Sequence, residues 1–411
     1  MPTLHMTTPP AQATTTLIDA PIIIVGSGFA AWQLVKAMRR QNAQQPILLI
    51  TADDGCDYNK PDLSHIFTRQ TEADSMVRAD AATLAAELNI EILTQTRVTA
   101  LEPKQHLLHT ASATLRYSKL VLAVGAHSVI PPLPDNAAQH CMTLNSLQDY
   151  RQHAARLQQM PSVLIVGGGL IGTELGMDAA LAGKRVIMTD LAPRLLPRQL
   201  PALISQALQQ QMQEHGVRFK LGCTLTVLQR SDNGEWAITF SDGSRYQAAE
   251  ILCTAGLRPE ITLAQRAGLQ TDRGIVTDAY LATSEEDIFA LGDCAQVAGE
   301  VYAYLQPILL CAAALAKTLL GQPTAVRIPT QSVRVKTPLL PLQIAGTLTG
   351  HLASEEVGTQ QIVLNDPKGM TLWQLDAEQK RCGFVAAGEH QKQAMAMLKM
   401  LGQPFEIAPR Q

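Results

Sequence analysis

Residues 163–190 read VLIVGGGLIGTELGMDAALAGKRVIMTD, and the fold turns on this stretch. An apolar strand enters a glycine-rich turn, a helix follows, and a second apolar strand ends on Asp190. Residues 22–51, IIIVGSGFAAWQLVKAMRRQNAQQPILLIT, repeat the plan. A single glycine turn is a weak signal. Two of them, each between a strand and a helix, predict two dinucleotide-binding units in one α/β chain.

The second turn carries the full G-x-G-x-x-G pattern at Gly167, Gly169 and Gly172. The first position allows the tight turn, the second lets the backbone approach a pyrophosphate, and the third lets helix and sheet pack closely. Gly26, Gly28 and Ala31 occupy the same places in the first unit. In each unit the anion would rest on unpaired amides at a helix N-terminus. Asp190, at the end of the following strand, can accept from both ribose hydroxyls and would repel a 2′-phosphate, so the second unit favours NADH over NADPH. Arg185 and Arg194 lie near enough in sequence to soften that preference.

Composition fits an ordinary globular chain of 411 residues, 46% apolar and 17% charged, with a formal net charge of −3. Nothing in it draws the chain as a whole toward nucleic acid. No apolar run is long enough to cross a membrane, and the N-terminus lacks the basic and apolar regions of a signal peptide. The seven cysteines form no C-x-x-C or C-x4-C pair, which suits a reducing compartment. The expectation is a cytoplasmic protein.

Along the chain, residues 1–19 read as a flexible tail, and 20–125 with 250–325 as a discontinuous first nucleotide domain. Between its halves lies a second nucleotide domain over 126–249, closed by a β-meander marked by Asn233-Gly234 and Asp242-Gly243. A helix is expected over Glu72 to Leu88, followed by an antiparallel excursion through IEILTQTRVTALEPKQHLLHT, and another helix over Leu305 to Leu320. From 326 to 411 five short β-like runs and a final helix near Gln391 to Leu401 suggest a separate α+β domain.

Four further stretches carry a resemblance: YNKPDLSH (58–65), LVLAVGAHSVIPPLP (120–134), TAGLRPE (254–260) and DIFALGDCA (287–295). With the glycine turns, they resemble the FAD- and NAD-dependent pyridine nucleotide oxidoreductases over essentially all of 20–405. YNKPDLSH, TLNSLQDYR, GGGLIGTELGMD and VRVKTPLLPL are most similar to the rubredoxin reductase branch, especially the flavorubredoxin reductases of anaerobic nitric oxide detoxification. The resemblance implies hydride transfer from NADH to FAD, then single-electron transfers to a rubredoxin-type iron protein engaged transiently. It assigns FAD to Gly26, Gly28, Ala31, Ala123, Gly125 and Asp293, with Lys60 and Pro61 beside the isoalloxazine and Gln306 opening a helix toward its pyrimidine ring. NADH falls to Gly167, Gly169, Gly172 and Asp190.

Two departures stand out. Where many relatives bind the FAD ribose with Glu, this chain has Thr51 to Asp54, and His65 stands where oxygenase-coupled ferredoxin reductases commonly carry Lys. For the chemistry itself, Lys60 and Lys336 are candidates to stabilise charge on the reduced flavin. Glu174 either faces the nicotinamide or is simply an acid near a helix N-terminus. A disulfide reductase needs a dithiol beside the flavin, and Cys56 is the only thiol near YNKPDLSH. The electrons are therefore expected to leave for an external acceptor. Arg39, Arg40, Lys60, Arg69 and Lys336 could form a basic docking rim. Two other readings stand beside this one: a reductase of a freestanding rubredoxin, and an FAD- and NAD-holding redox sensor without turnover.

Overall fold

Strands that are apolar on both faces need cover on both sides, and Ile22–Val25 and Ile47–Ile50 are buried at every position. In the computed structural model, which describes residues 20–302, 304–348 and 360–405, these two strands sit inside a five-stranded parallel sheet. Its order is Ile288–Ala290, Lys119–Leu122, Ile22–Val25, Ile47–Ile50, Glu91–Leu93. The helices Phe29–Arg39 and Leu305–Leu319 pack against each other, and Trp32, Leu34, Leu315 and Leu319 join the core beneath them. The tail expected over 1–19 lies outside the described residues.

A second parallel sheet, ordered Arg218–Leu221, Arg185–Asp190, Ser162–Val166, Glu250–Cys253, lies wholly within the excursion between the last two strands of the first. Where the chain leaves and returns, Ala126–Ser128 pairs antiparallel with Leu257–Pro259. The meander expected from the two Gly turns is present as Leu225–Arg230, Trp236–Phe240 and Arg245–Ala248. All five β-like runs of the last part form one antiparallel sheet, Ser332–Val335, Leu342–Gly346, Arg381–Gly388, Gly369–Leu375, Gln360–Asp366, against which the helix Ala394–Lys399 packs.

Two local expectations are corrected. The helix predicted over Glu72 to Leu88 is confined to Ala81–Leu88, because Val77–Ala79 pairs with Asp57–Tyr58 and the Asp80 carboxylate accepts the Thr83 amide, starting the helix there. The excursion expected to be antiparallel from Ile90 begins instead with Glu91–Leu93 as a parallel edge strand of the first sheet; antiparallel pairing starts at Val98–Glu102.

Close packing explains the glycine pattern. A Cβ on Gly26 would stand 2.3 Å from the Ala123 carbonyl oxygen, and one on Gly172 2.0 Å from that of Gly167. Gly172→Ala therefore forces the second nucleotide helix off its sheet, and should lower stability by about 1–3 kcal/mol. Urea unfolding of the substituted and unsubstituted proteins measures it.

Candidate active site

The helices Phe29–Arg39 and Leu170–Leu181 begin at Gly28 and Gly169, neither of which supplies a side-chain cap. Asp80 and Ser146 cap their helices with a side chain, whereas a glycine at this place leaves the first-turn amides without one. A Cβ on Gly28 or Gly169 would meet nothing within 4 Å. Each turn thus offers an electropositive helix end with space in front of it, the surroundings a pyrophosphate requires.

An acid faces each turn. Asp190 accepts the Gly168 amide at 2.6 Å on one oxygen and the Ala192 amide at 2.8 Å on the other, so its carboxylate is held beside the second turn. Arg185 begins the strand that Asp190 ends, and its guanidinium lies 3.6 Å from Glu235, so it takes no part at the turn. In the first unit Asp53 has the matching place. Its Oδ1 accepts from Ser27 Oγ at 2.9 Å, from Thr51 Oγ1 at 2.8 Å and from the Gly55 amide at 3.0 Å. Asp54 turns away to Arg151 and the Cys56 amide. Of the four residues from Thr51 to Asp54, Asp53 is the acid oriented at the glycine turn, together with Thr51, whose hydroxyl lies 2.8 Å from that of Ser27.

Lys60 and Asp293 are both half-buried and near enough to act on each other electrostatically, and they mark the candidate cleft. Neither has a hydrogen-bond partner among the described residues. Burial lowers the Lys60 ammonium pKa and raises that of the Asp293 carboxyl, while each partly offsets the other's shift electrostatically. Asp293 is placed there by Gly292, at φ +81°, whose hydrogen faces Ala30 in the first helix where a Cβ would clash. Gln306 lies exposed in the first turn of Leu305–Leu319, followed by Pro307, which suits a helix start. A groove of about 500 Å³ opens beside it, lined by Arg198, Tyr302, Tyr304, Pro307, Val333 and Ile344 among others.

Five more candidates have roles in packing or bracing. Ala123 sets its carbonyl against Gly26, and Gly125, at φ +72°, accepts the Glu260 amide at 2.9 Å. Pro61 follows Lys60 in a short 3-10 helix, Lys60–His65, and its carbonyl accepts from the Lys336 ammonium. The Lys336 amide donates to Glu174 at 2.9 Å. Lys336 and Glu174 therefore join the C-terminal sheet to the second nucleotide helix, and the Lys336 ammonium is engaged behind the Lys60 segment. Of the expected basic rim, Arg69 pairs with Asp62, whereas Arg39 is taken up by the carbonyls of Leu88, Asn42, Gln45 and Asn89 at the far end of the first helix.

None of the thiols near the cleft is activated. Burial and the neighbouring Asp54 push Cys56 up to about 12, and burial pushes Cys294, adjacent to Asp293, up to about 11. Among the described residues no cluster of potential metal ligands occurs, and no helix is long and apolar enough to cross a membrane.

With this geometry in place, comparison with known proteins settles the family. The family model of pyridine nucleotide-disulphide oxidoreductases matches residues 20–313, and that of the rubredoxin-binding C-terminal domain matches 325–401. The chain belongs to the pyridine nucleotide-disulphide oxidoreductases. It is 42% identical over 381 residues to the nitric oxide reductase FlRd-NAD(+) reductase of Pectobacterium atrosepticum, covering 92% of this chain and 98% of that one. To the protein of the same name from Aeromonas hydrophila it is 41% identical over 394 residues, covering 95% and 100%. Among solved structures, putidaredoxin reductase in its covalent complex with putidaredoxin superposes with a TM-score of 0.81 at 23% identity, covering 93% of this chain and 94% of that one, a likeness of fold.

Members of this family that reduce disulfides need a reactive thiol, and this chain presents none at the cleft. Cys56→Ser should accordingly leave NADH-dependent electron transfer within about twofold of the unsubstituted rate, measured by steady-state turnover.

Proposed function

We propose that this protein is an NADH-dependent FAD reductase of the rubredoxin centre of a flavorubredoxin, serving nitric oxide detoxification in the cytoplasm. The observation that carries this reading is the rubredoxin-binding domain, rooted through Lys336 in the wall of a cleft that holds two nucleotide turns and no activated thiol.

Gly26 and Gly28 would take the FAD pyrophosphate, Asp53 its ribose, and Asp293 the chain between them. Gly167 and Gly169 would take the pyrophosphate of NADH, with Asp190 on the adenosine ribose. FAD, when bound, accepts two electrons as a hydride from NADH and releases them one at a time to iron. The protein itself aligns the two nucleotides, excludes water from the cleft, and sets the Lys60 cation where negative charge accumulates. Lys60 is suited to this because its ammonium sits in a desolvated cleft, where each charge acts more strongly than in water. The groove beside Gln306 gives an acceptor a route to the helix end from outside.

Two measurements test the reading. Anaerobic stopped-flow would reduce the protein with NADH, then mix it with the rubredoxin domain of a flavorubredoxin or with a freestanding rubredoxin. Faster reoxidation by the flavorubredoxin domain is expected; preference for free rubredoxin would reassign the partner, and reoxidation by neither would overturn the function. In the second, Asp190→Ala removes a charge-assisted acceptor contributing about 1.5–3 kcal/mol, so kcat/KM for NADH should fall tenfold or more while that for NADPH falls less.

A further inference from the structure

Asp178 is a carboxylate in the middle of the helix Leu170–Leu181, 4% exposed, and no step proposed above uses it. A buried carboxylate is tolerated only where hydrogen bonds compensate its lost hydration. For Asp178 all of that compensation comes from one segment. Its Oδ2 accepts the Phe67 amide at 2.8 Å and the Thr68 amide at 3.3 Å, its Oδ1 accepts the Thr68 hydroxyl, and His65 Nδ1 lies 3.7 Å away. Phe67 and Thr68 belong to the short helix Ile66–Arg69, which continues directly from the 3-10 helix Lys60–His65.

One helical turn before Asp178, on the same face, stands Glu174. It accepts the Lys336 amide at 2.9 Å, and the Lys336 ammonium reaches back to the Pro61 carbonyl and, at 3.4 Å, to Ser64 Oγ. Two carboxylates of a single helix thus hold both ends of the segment that carries Lys60. Asp178 holds 65–68 directly, and Glu174 holds 61–64 through Lys336. Apolar contact completes the joint: Leu63, Ile66 and Phe67 share a core with Leu175, Met177 and Ala179 of the same helix.

We infer that Asp178 is a positioning residue, which fixes Lys60 relative to the helix whose N-terminus receives the second nucleotide. The inference rests on the FAD and NADH reading above. Hydride donor and acceptor are held by different units of the chain, and misplacement by about 1 Å can cost up to a hundredfold in rate. The flavin-side cation is braced against the nicotinamide-side helix, so the two move as one body.

A double-substitution cycle on the FAD-loaded protein tests it, with Asp178→Asn, Lys60→Gln and the pair together. Asp178→Asn keeps the shape but removes the charge, and with its oxygen on the Phe67 and Thr68 amides its NH2 faces the Thr68 hydroxyl, which can no longer donate there. Two quantities are read: the rate at which NADH bleaches the flavin, and the midpoint potential of the bound flavin, which senses the position of Lys60. We expect Asp178→Asn to slow bleaching about tenfold and to shift the potential, and to add nothing to either once Lys60 is Gln. Equal effects in both backgrounds, or no effect in either, would overturn the inference. Should Asp178→Asn fail to retain FAD, Thr68→Val, which removes one of the four contacts, is put through the same cycle with the same two criteria. If NADH does not bleach the unsubstituted protein, the underlying functional reading falls and this inference with it.

Discussion

Two helices of this chain start at a glycine turn, with no side-chain cap and open space ahead of the turn, and the architecture is arranged around that electrostatic deficit. At Gly28 and Gly169 the first-turn amides point into open space, and an acid is held beside each turn by hydrogen bonds to the turn itself. Capping either helix with its own side chain would fill the space an anion needs. The tight contacts at Gly26 and Gly172 follow from the same demand, since the turn must stay close to the sheet for the helix end to face outward.

The two turns would be of little use unless their contents could meet. The antiparallel pair Ala126–Ser128 and Leu257–Pro259 joins the units at their root. Across the cleft, the joining is done by side chains: Asp178 to the segment after Lys60, and Glu174 through Lys336 to the segment around Pro61. Tyr58 adds another tie by accepting the Leu147 amide at 3.1 Å, as does Gln158, whose amide donates to the Ile66 carbonyl at 3.0 Å. Polar ties of this kind fix orientation more sharply than apolar burial, because their strength depends on angle as well as distance.

Much of the fold was legible from local pattern. Glycine turns between strands and helices, continuous apolar strands, and the dipeptides Asn233-Gly234 and Asp242-Gly243 each encode their own geometry within a few residues. The misplaced helix boundary before Ala81 came from a three-residue strand, Val77–Ala79, whose partner Asp57–Tyr58 lies about twenty residues upstream, beyond the reach of helical periodicity. The site divides in the same way. The motifs single out Lys60, Asp190 and Asp293, yet nothing local in VKTP announces that the Lys336 amide meets Glu174, 162 positions away. Asp178 is equally silent in sequence, since an acid eight positions into a helix ordinarily marks a solvated face.

Lys336 has a bearing on how this architecture can be recombined. The rubredoxin-binding domain looks separable, with its own antiparallel sheet and its own small core around Trp373 and Phe384. Its first strand is nevertheless followed at once by Lys336, whose peptide N–H belongs to the bonding of the second nucleotide helix and whose side chain belongs to that of the Lys60 segment. A graft of this domain onto a related reductase, made to exchange one electron acceptor for another, transplants that joint as well. The recipient must bring a carboxylate at the place of Glu174 and a receptive carbonyl at the place of Pro61, or the new acceptor specificity arrives with a loosened cleft.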